Sequence, residues 1–507
     1  MNRLLLAFGL VCLLQGLSAE PRPEFALNGT VPASVRITAV KTDANVTATA
    51  IKALTVTNVT SGFAGLVGTK TQIEKVITQF DTKAQSILAA YDTLLAANDG
   101  NVATQFNAFV TTINATITYI ATDASNVTAE LGVFNYTGIS DELTDAFERI
   151  LTGLTDLRAK TVTVQTGIQA AVNSASSATI SADILRQFVP LRTMYDLLRA
   201  ASNLRAYLPL VQYILTTTIE NIAEADSYLM NLKSLLSTGV SSEASKYGVD
   251  IEKVTSEIEA QLAADFAGEA GTANATYYTV NQYSNINRAA NHSDLMSTLS
   301  TLNTLFTTTT LAGKTATLGS AFDKINTSLT TLVSQLQNST DVLTNPLVKE
   351  LVDTLMGNDE YGRYCYHKYK DLVQGLFGQS FDSAWQCVDK EYERLEYLKV
   401  TLAFIVDILA FDYEDIPVQA EVCNTLTSDD NLNSCVLALT KYYKDLFVAT
   451  ADKVTQVFQF ATDEAAASEN RILICFQLVN IEGSVTAVEE ISADLATCSI
   501  SGPRGSD

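Results

Sequence analysis

From Thr71 onward the apolar side chains recur at alternating steps of four and three. Ile73, Ile77, Phe80, Ala84, Ile87, Tyr91 and Leu94 keep one face of a helix apolar. The stretch Asn98-Asp99-Gly100-Asn101 breaks the rhythm with a turn signal. A second run follows: Phe106, Val110, Ile113, Ile117, Ile120, Ala124, Val127, Leu131 and Phe134. Two such runs joined by a short turn predict an antiparallel αα-hairpin.

The same rhythm returns after a break at Asn135 to Gly138, with Leu143, Phe147, Ile150, Leu154, Leu157, Thr161, Val164 and Ile168. Ser140 is the expected N-cap, with Asp141 and Glu142 favourable to the positive end of the helix dipole. Residues 174–177 form a small polar break, and residues 184–236 read as further helix with kinks or short interruptions at Pro190 and Pro209. A short helix through Ile251, Val254, Ile258, Leu262 and Phe266 is expected to end near Gly268 and Gly271. Leu295, Leu299, Leu302 and Phe306 begin another. Leu318, Phe322, Ile325, Leu329, Leu332 and Leu336 restore the rhythm after a phase slip near Gly313, and Asn345-Pro346 ends the region. Residues 20–70, with Pro21, Pro23, Pro32, Gly62, Gly65 and Gly68, read as an irregular or partly extended lead-in with room for one short helix. Sustained 4-3 spacing suits either a coiled coil that drives oligomerisation or a bundle folded back within one chain. Faces of Thr, Ser, Asn and Ala, rather than paired Glu and Lys, and the short turns favour the bundle.

Residues 361–498 have a different character. They hold Cys365, Cys387, Cys423, Cys435, Cys475 and Cys498, the only Trp (Trp385), and many Tyr and Phe. Helical signals persist over residues 381–411, 432–460 and 464–495. Six cysteines in a secreted chain predict three disulfides, and fifteen pairings are open. Cys365 and Cys387 can pair only if the chain turns between them, at Gly375 and Gly378. The order of these cysteines, Tyr366 beside Cys365, the aromatic stretch to Cys387 and the close pair Cys423/Cys435 resemble the TsetseEP domain of secreted insect proteins. That resemblance covers roughly residues 361–498. It implies an insect extracellular protein with no established enzymatic activity. The Glu-Pro repeats of the protein that gave the family its name are absent.

Residues 1–19 read as a secretory signal peptide: Arg3, then an apolar run over residues 4–14, then Leu17-Ser18-Ala19 before Glu20. Cys12 leaves with it. The later apolar stretch at residues 398–411 is too short for a membrane span and carries Asp407. The polar end, residues 501–507, lacks the hydrophobic tail of a lipid-anchor signal. The expected localisation is secreted and extracellular. Ten N-x-S/T sites precede the cysteine-rich segment: Asn28, Asn45, Asn58, Asn114, Asn126, Asn135, Asn274, Asn291, Asn326 and Asn338. With a signal peptide, several are expected to carry glycans.

The chain has 33 Lys and Arg against 56 Asp and Glu, a net charge of −23. That balance repels nucleic acid and anionic membranes. A hydrophobic content of 47% places the chain among globular proteins, not disordered ones. The length allows two or three domains, or one helical array plus a compact module.

Catalytic patterns are missing. There are two histidines: His292, inside a sequon and expected at the surface, and His367, among tyrosines beside Cys365. Neither forms a zinc cluster or activates a nucleophile, and no phosphate loop or Gly-x-Ser-x-Gly elbow occurs. The carboxylate pairs Asp389/Glu393 and Glu489/Glu490 suit solvated faces. Asp412, Glu414 and Asp415 read as an acidic loop at a helix end rather than a calcium site. No cofactor and no metal are expected.

These readings predict an all-α chain, an elongated antiparallel helical array with a C-terminal disulfide-crosslinked helical module. Its segments are residues 1–19, 20–70, 71–345 and 361–498. The expected function is non-enzymatic: extracellular recognition of a protein or glycan, or a structural part of an extracellular layer. The alternative is a helical carrier of lipids or other hydrophobic small molecules, since bundles can open apolar cavities between helices.

Overall fold

The 4-3 rhythm becomes helix throughout, and no strand occurs among the described residues. The computed structural model describes residues 24–503 apart from Thr30, Asn135, Ala178 and Thr340, and not the side chains of residues 239–244, 337–339 and 484. The predicted signal peptide and Cys12 lie outside the described residues. In order, the helices are α1 (Ser34–Lys52), α2 (Ala64–Ala96), α3 (Val102–Tyr119), α4 (Ser125–Gly132), α5 (Thr137–Ala175), α6 (Ala182–Phe188) and α7 (Leu191–Asn281). There follow α8 (His292–Leu305), α9 (Thr308–Ser339), α10 (Pro346–Gly357), α11 (Gly362–Leu409), α12 (Ile416–Asn424), α13 (Asp429–Ile481) and α14 (Ala487–Ser501). A π-helical turn, Ile120–Ala124, joins α3 to α4.

The chain divides into two units. Unit 1 comprises residues 1–231, 346–370 and 492–507; unit 2 comprises residues 232–345 and 371–491. Cys365 and Cys498 therefore belong to unit 1, and the other four cysteines of the segment 361–498 to unit 2.

In unit 1, α2 and α3 run antiparallel. Tyr91 stacks on Phe109 with centroids 4.5 Å apart, and farther from the connecting turn Lys83 lies 5.8 Å from the Tyr119 ring centre. The turn between them is the one the sequence announces. Gly100 has φ +77°, and the Asp99 carboxylate accepts from Asn101 and Gln105. The expected break after residue 174 is also present, with Ser176 in the left-handed region at φ 51°. Tyr136 donates to Asp353 at 3.1 Å, joining the start of α5 to α10. The Cys365–Cys498 disulfide joins α11 to α14.

In unit 2 one apolar core runs from Tyr247 to Val479 in sequence. It is built by the second half of α7, by α8 and α9, and by α11, α12 and α13. Helix α13 is the central member, packing against α8, α9 and α12. Cys387–Cys475 ties α11 to α13, and Cys423–Cys435 ties α12 to α13.

Several local expectations are corrected. Residues 20–70 are not mainly irregular: α1 is a helix of 19 residues, and α2 begins at Ala64, seven residues before Thr71. Gly65 and Gly68 sit inside that first part of α2 as packing positions. A Cβ on Gly68 would overlap the Phe134 ring, and one on Gly65 the Tyr136 hydroxyl. Ser140 is not the N-cap of α5, which starts at Thr137; its hydroxyl donates to the Thr128 carbonyl at 2.9 Å. Helix α7 continues for 91 residues through Pro209, Gly268 and Gly271 to Asn281. Proline removes only one helical hydrogen bond and glycine weakens a helix without forbidding it. Cys365 and Cys387 share the unbroken helix α11, so no turn brings them together.

Candidate functional site

Five segments of unit 1 converge on a half-open cavity of about 90 Å³. Helices α1, α2, α3, α5 and the first half of α7 supply its walls. Room is left because Ala44, Ala48, Ala84 and Ala201 stand at inward positions where a larger side chain would fill the gap. Phe80, Ile87, Leu154, Leu157, Leu204 and Leu208 give it an apolar lining. Ile120, the first residue of the π-helical turn, also lines it. Such turns widen a helix locally and recur at functional sites.

Two buried tyrosines stand in its wall. Tyr91 and Tyr119 both line it, are 5% and 3% exposed, and have hydroxyls with no hydrogen-bond partner. A buried donor left unpaired costs about 1–3 kcal/mol, so each hydroxyl needs a reason to be there. Burial pushes the Tyr91 phenol well above its ordinary value. It pushes Tyr119 up to about 12, with the Asp123 charge adding to the effect. Both are therefore neutral donors at physiological pH.

Lys41, Lys83 and Arg205 also belong to the wall, which is apolar almost throughout, so they contribute their stems rather than their charged heads. Lys41 pairs with Asp92 and Arg205 with Asp43, each at 2.6 Å. Lys83 has no carboxylate partner among the described residues.

Unit 2 contains a larger groove of about 480 Å³ between α7 and α9, reached by Phe458 of α13. Phe266 stacks on Phe458 at 5.4 Å and on Phe306 at 6.2 Å along its wall. Its charged member is acidic. Burial raises the Glu259 carboxyl, and the Asp323 charge raises it further.

The residues singled out in the sequence do not gather at either cavity. Asn28, Asn58, Asn114, Asn126 and Asn274 are exposed, and Asn45, Asn291 and Asn326 are half-buried. Asn135 and the side chain of Asn338 lie outside the described residues. Asn58 accepts from Lys70 at 3.2 Å and Asn114 from Arg158 at 3.0 Å. His292 is half-buried rather than at the surface, its Nε2 enclosed and without a partner. His367 lies 3.3 Å from Glu224, which Arg363 and Lys370 also approach.

Asp412 is already neutralised: both its oxygens accept from Lys453 at 2.8 Å, and one from Thr450 at 2.9 Å. Asp389, Glu393, Glu489 and Glu490 are exposed on helices. Among the described residues no group of three His, Cys, Asp or Glu side chains is placed to hold a metal ion. No helix there is long and apolar enough to cross a membrane.

Sequence reasoning missed the unit 1 cavity. The available signal was alanine at Ala84 inside an apolar stripe, with Tyr91 two turns on. Both were read as ordinary core positions. No protein-family model matches the chain, and no curated protein matches it.

Proposed function

We propose that this chain is a secreted, non-enzymatic glycoprotein whose recognition function is directed at a hydrophobic small molecule, which it carries in the unit 1 cavity. The observation behind this reading is a half-open cavity with apolar walls, Phe80, Ile87, Leu154 and Leu208 among them. Ligand sites are concave and mostly apolar. Secretion is supported by the signal-peptide pattern together with the three disulfides Cys365–Cys498, Cys387–Cys475 and Cys423–Cys435. The likeness of residues 361–498 to the TsetseEP domain supports an insect extracellular origin. The test is native mass spectrometry of the protein secreted from insect cells, after enzymatic removal of glycans. Added mass that leaves on denaturation and matches a lipid supports the carrier. Protein that stays free of ligand and binds no lipid probe rules it out.

One observation favours a second reading, a structural part of an extracellular layer. Tyr397, Val400 and Phe404 form an apolar stripe at helical spacing on α11 in unit 2 and are 75%, 65% and 65% exposed. A layer needs contacts between copies, and 3-4 spacing suits helix pairing with a second copy of this chain. Sedimentation velocity decides it. A concentration-dependent dimer that Phe404→Ser abolishes supports the layer, and a monomer at all concentrations eliminates it.

A further inference from the structure

We propose that the unit 2 groove is a second binding site, and that it takes an amphipathic organic cation: an apolar body laid between α7 and α9 with an ammonium head at Glu259. The site is independent of the unit 1 cavity.

Helix order gives the groove its length. Glu259 of α7 lies against Gly319 of α9, and Phe266 of α7 against Phe306, just before α9 begins. The reverse order means that the two segments run antiparallel, with the groove along them. The span from Thr308 to Gly319, both in its wall, is ~16 Å of helix at ~1.5 Å per residue. Its volume of about 480 Å³ falls within the ~300–1,000 Å³ of small-molecule sites.

Small side chains keep it open. Phe266, Phe306 and Phe458 are buried in the floor, while Ala263 and Ala267 of α7 and Ala312 and Ala316 of α9 stand exposed at the sides. Longer side chains at these four positions would meet across the gap. Alanine methyls leave it free and still offer a ligand apolar contact.

Charge selects a cation. Glu259 is the one ionisable residue in the wall among the described residues. The missing side chain of Gly319 admits its carboxylate: Oε1 lies 2.7 Å from where a Cβ on Gly319 would stand. Asp323 follows Gly319 by one turn on the same face of α9, and its charge, added to burial, raises the Glu259 carboxyl. Among the described residues no cation or hydrogen bond compensates either carboxylate. The Thr315 hydroxyl is committed to the Leu311 carbonyl at 3.2 Å, so it is no donor for an anionic head. Two uncompensated carboxylates at one end of an apolar groove repel an anion. An ammonium offsets both and brings three donors.

The test is calorimetric titration of the full-length glycosylated protein with octylammonium and with octan-1-ol, equal chains with a charged and a neutral head. Octylammonium is expected to bind once per chain and about tenfold more tightly than the alcohol, the size of one charge-assisted hydrogen bond. Glu259→Gln should bring the amine down to the level of the alcohol. Glu489→Gln, at an exposed carboxylate elsewhere in unit 2, should change nothing, which separates the groove from the general acidity of the chain. Ala316→Leu fills the groove from an exposed position and should remove amine binding while the melting temperature holds. No binding of the amine, equal affinity for amine and alcohol, an equal loss in both Gln variants, or amine binding that survives Ala316→Leu overturns the assignment. Each of these outcomes leaves the unit 1 reading standing, since none of the substituted residues lines that cavity.

Discussion

Arg471 grips Glu391 with both sides of its guanidinium: Nε donates to Oε1 at 2.9 Å and Nη2 to Oε2 at 3.0 Å. Glu391 is 1% exposed, and Arg394 also donates to it. The pair lies one helical turn from the Cys387–Cys475 disulfide on both strands of the contact, four residues after Cys387 on α11 and four before Cys475 on α13. This reverse order fixes the two helices as antiparallel in one register. A covalent link and a paired buried charge thus specify the same alignment, and a slip by one turn would separate both.

Removing one partner of a buried ion pair leaves a charge without compensation and costs about 3–5 kcal/mol. Arg471→Met should therefore destabilise unit 2 by roughly 3 kcal/mol, the lower end because Arg394 remains. Trp385, the only Trp, packs 4.6 Å from the Tyr247 ring in unit 2. Its fluorescence during urea unfolding reads this unit specifically. Adding Glu391→Gln to the variant should recover part of the loss, since the buried charge is then gone. Strictly additive effects would mean that the two side chains do not act as a pair.

The disulfides close loops of very different length. Cys365 and Cys498 are 133 residues apart, Cys423 and Cys435 only 12. Crosslinks constrain the unfolded chain more as the loop lengthens, by about 3 kcal/mol for 15 residues and 4.7 for 100. Replacing Cys365 and Cys498 by Ser should lower the thermal midpoint more than replacing Cys423 and Cys435. Circular dichroism on both variants checks this. The reverse order would show that native packing around the short crosslink outweighs loop entropy.

Asp226 holds the segment leading into α2. Its carboxylate accepts from the Thr60 amide at 2.9 Å, the Thr60 hydroxyl at 2.9 Å and the Ser61 amide at 2.8 Å. Burial alone would raise this carboxyl, but the hydrogen bonds from Ser61 and Thr60 outweigh it and keep it below the ordinary carboxylate value. A group lowered in the folded state stabilises fully above its unfolded value, near pH 3.9, and loses that contribution as pH falls through the folded value. Asp226→Asn should therefore cost about 1.5–3 kcal/mol at pH 7, the range for hydrogen bonds to a charged group. The gap from wild type should close below about pH 4. A difference that stays constant from pH 7 to pH 3 would assign the effect to shape rather than charge.

Where the apolar period was long and bounded by turn residues, the sequence was enough. The turn at Gly100, the break at Ser176 and the stripe from Leu143 to Ile168 all stand as read. It misled where glycine was taken as an end. Helix α7 runs through Gly268 and Gly271 because Phe266, Ala273 and Val280 on either side of them are buried in unit 2, and packing of that kind overrides local propensity. The disulfide pairing could not be read, because the partners are brought together by helix order rather than by spacing. The cavity was least legible of all. It arises from alanines on α1, α2 and α7 that meet only once the helices pack.

That cavity makes a prediction of unusual sign. Tyrosine to phenylalanine in a core ordinarily destabilises by the value of the lost hydrogen bond. At Tyr119 no bond is lost, because the hydroxyl has no partner. Tyr119→Phe should instead stabilise the ligand-free protein by about 1 kcal/mol, by removing a buried unpaired donor, and Tyr91→Phe should act in the same direction. Thermal melts of both proteins measure this. A Tyr119→Phe protein less stable than wild type would mean that the hydroxyl does contribute a bond in the folded protein, and the unpaired-donor argument fails.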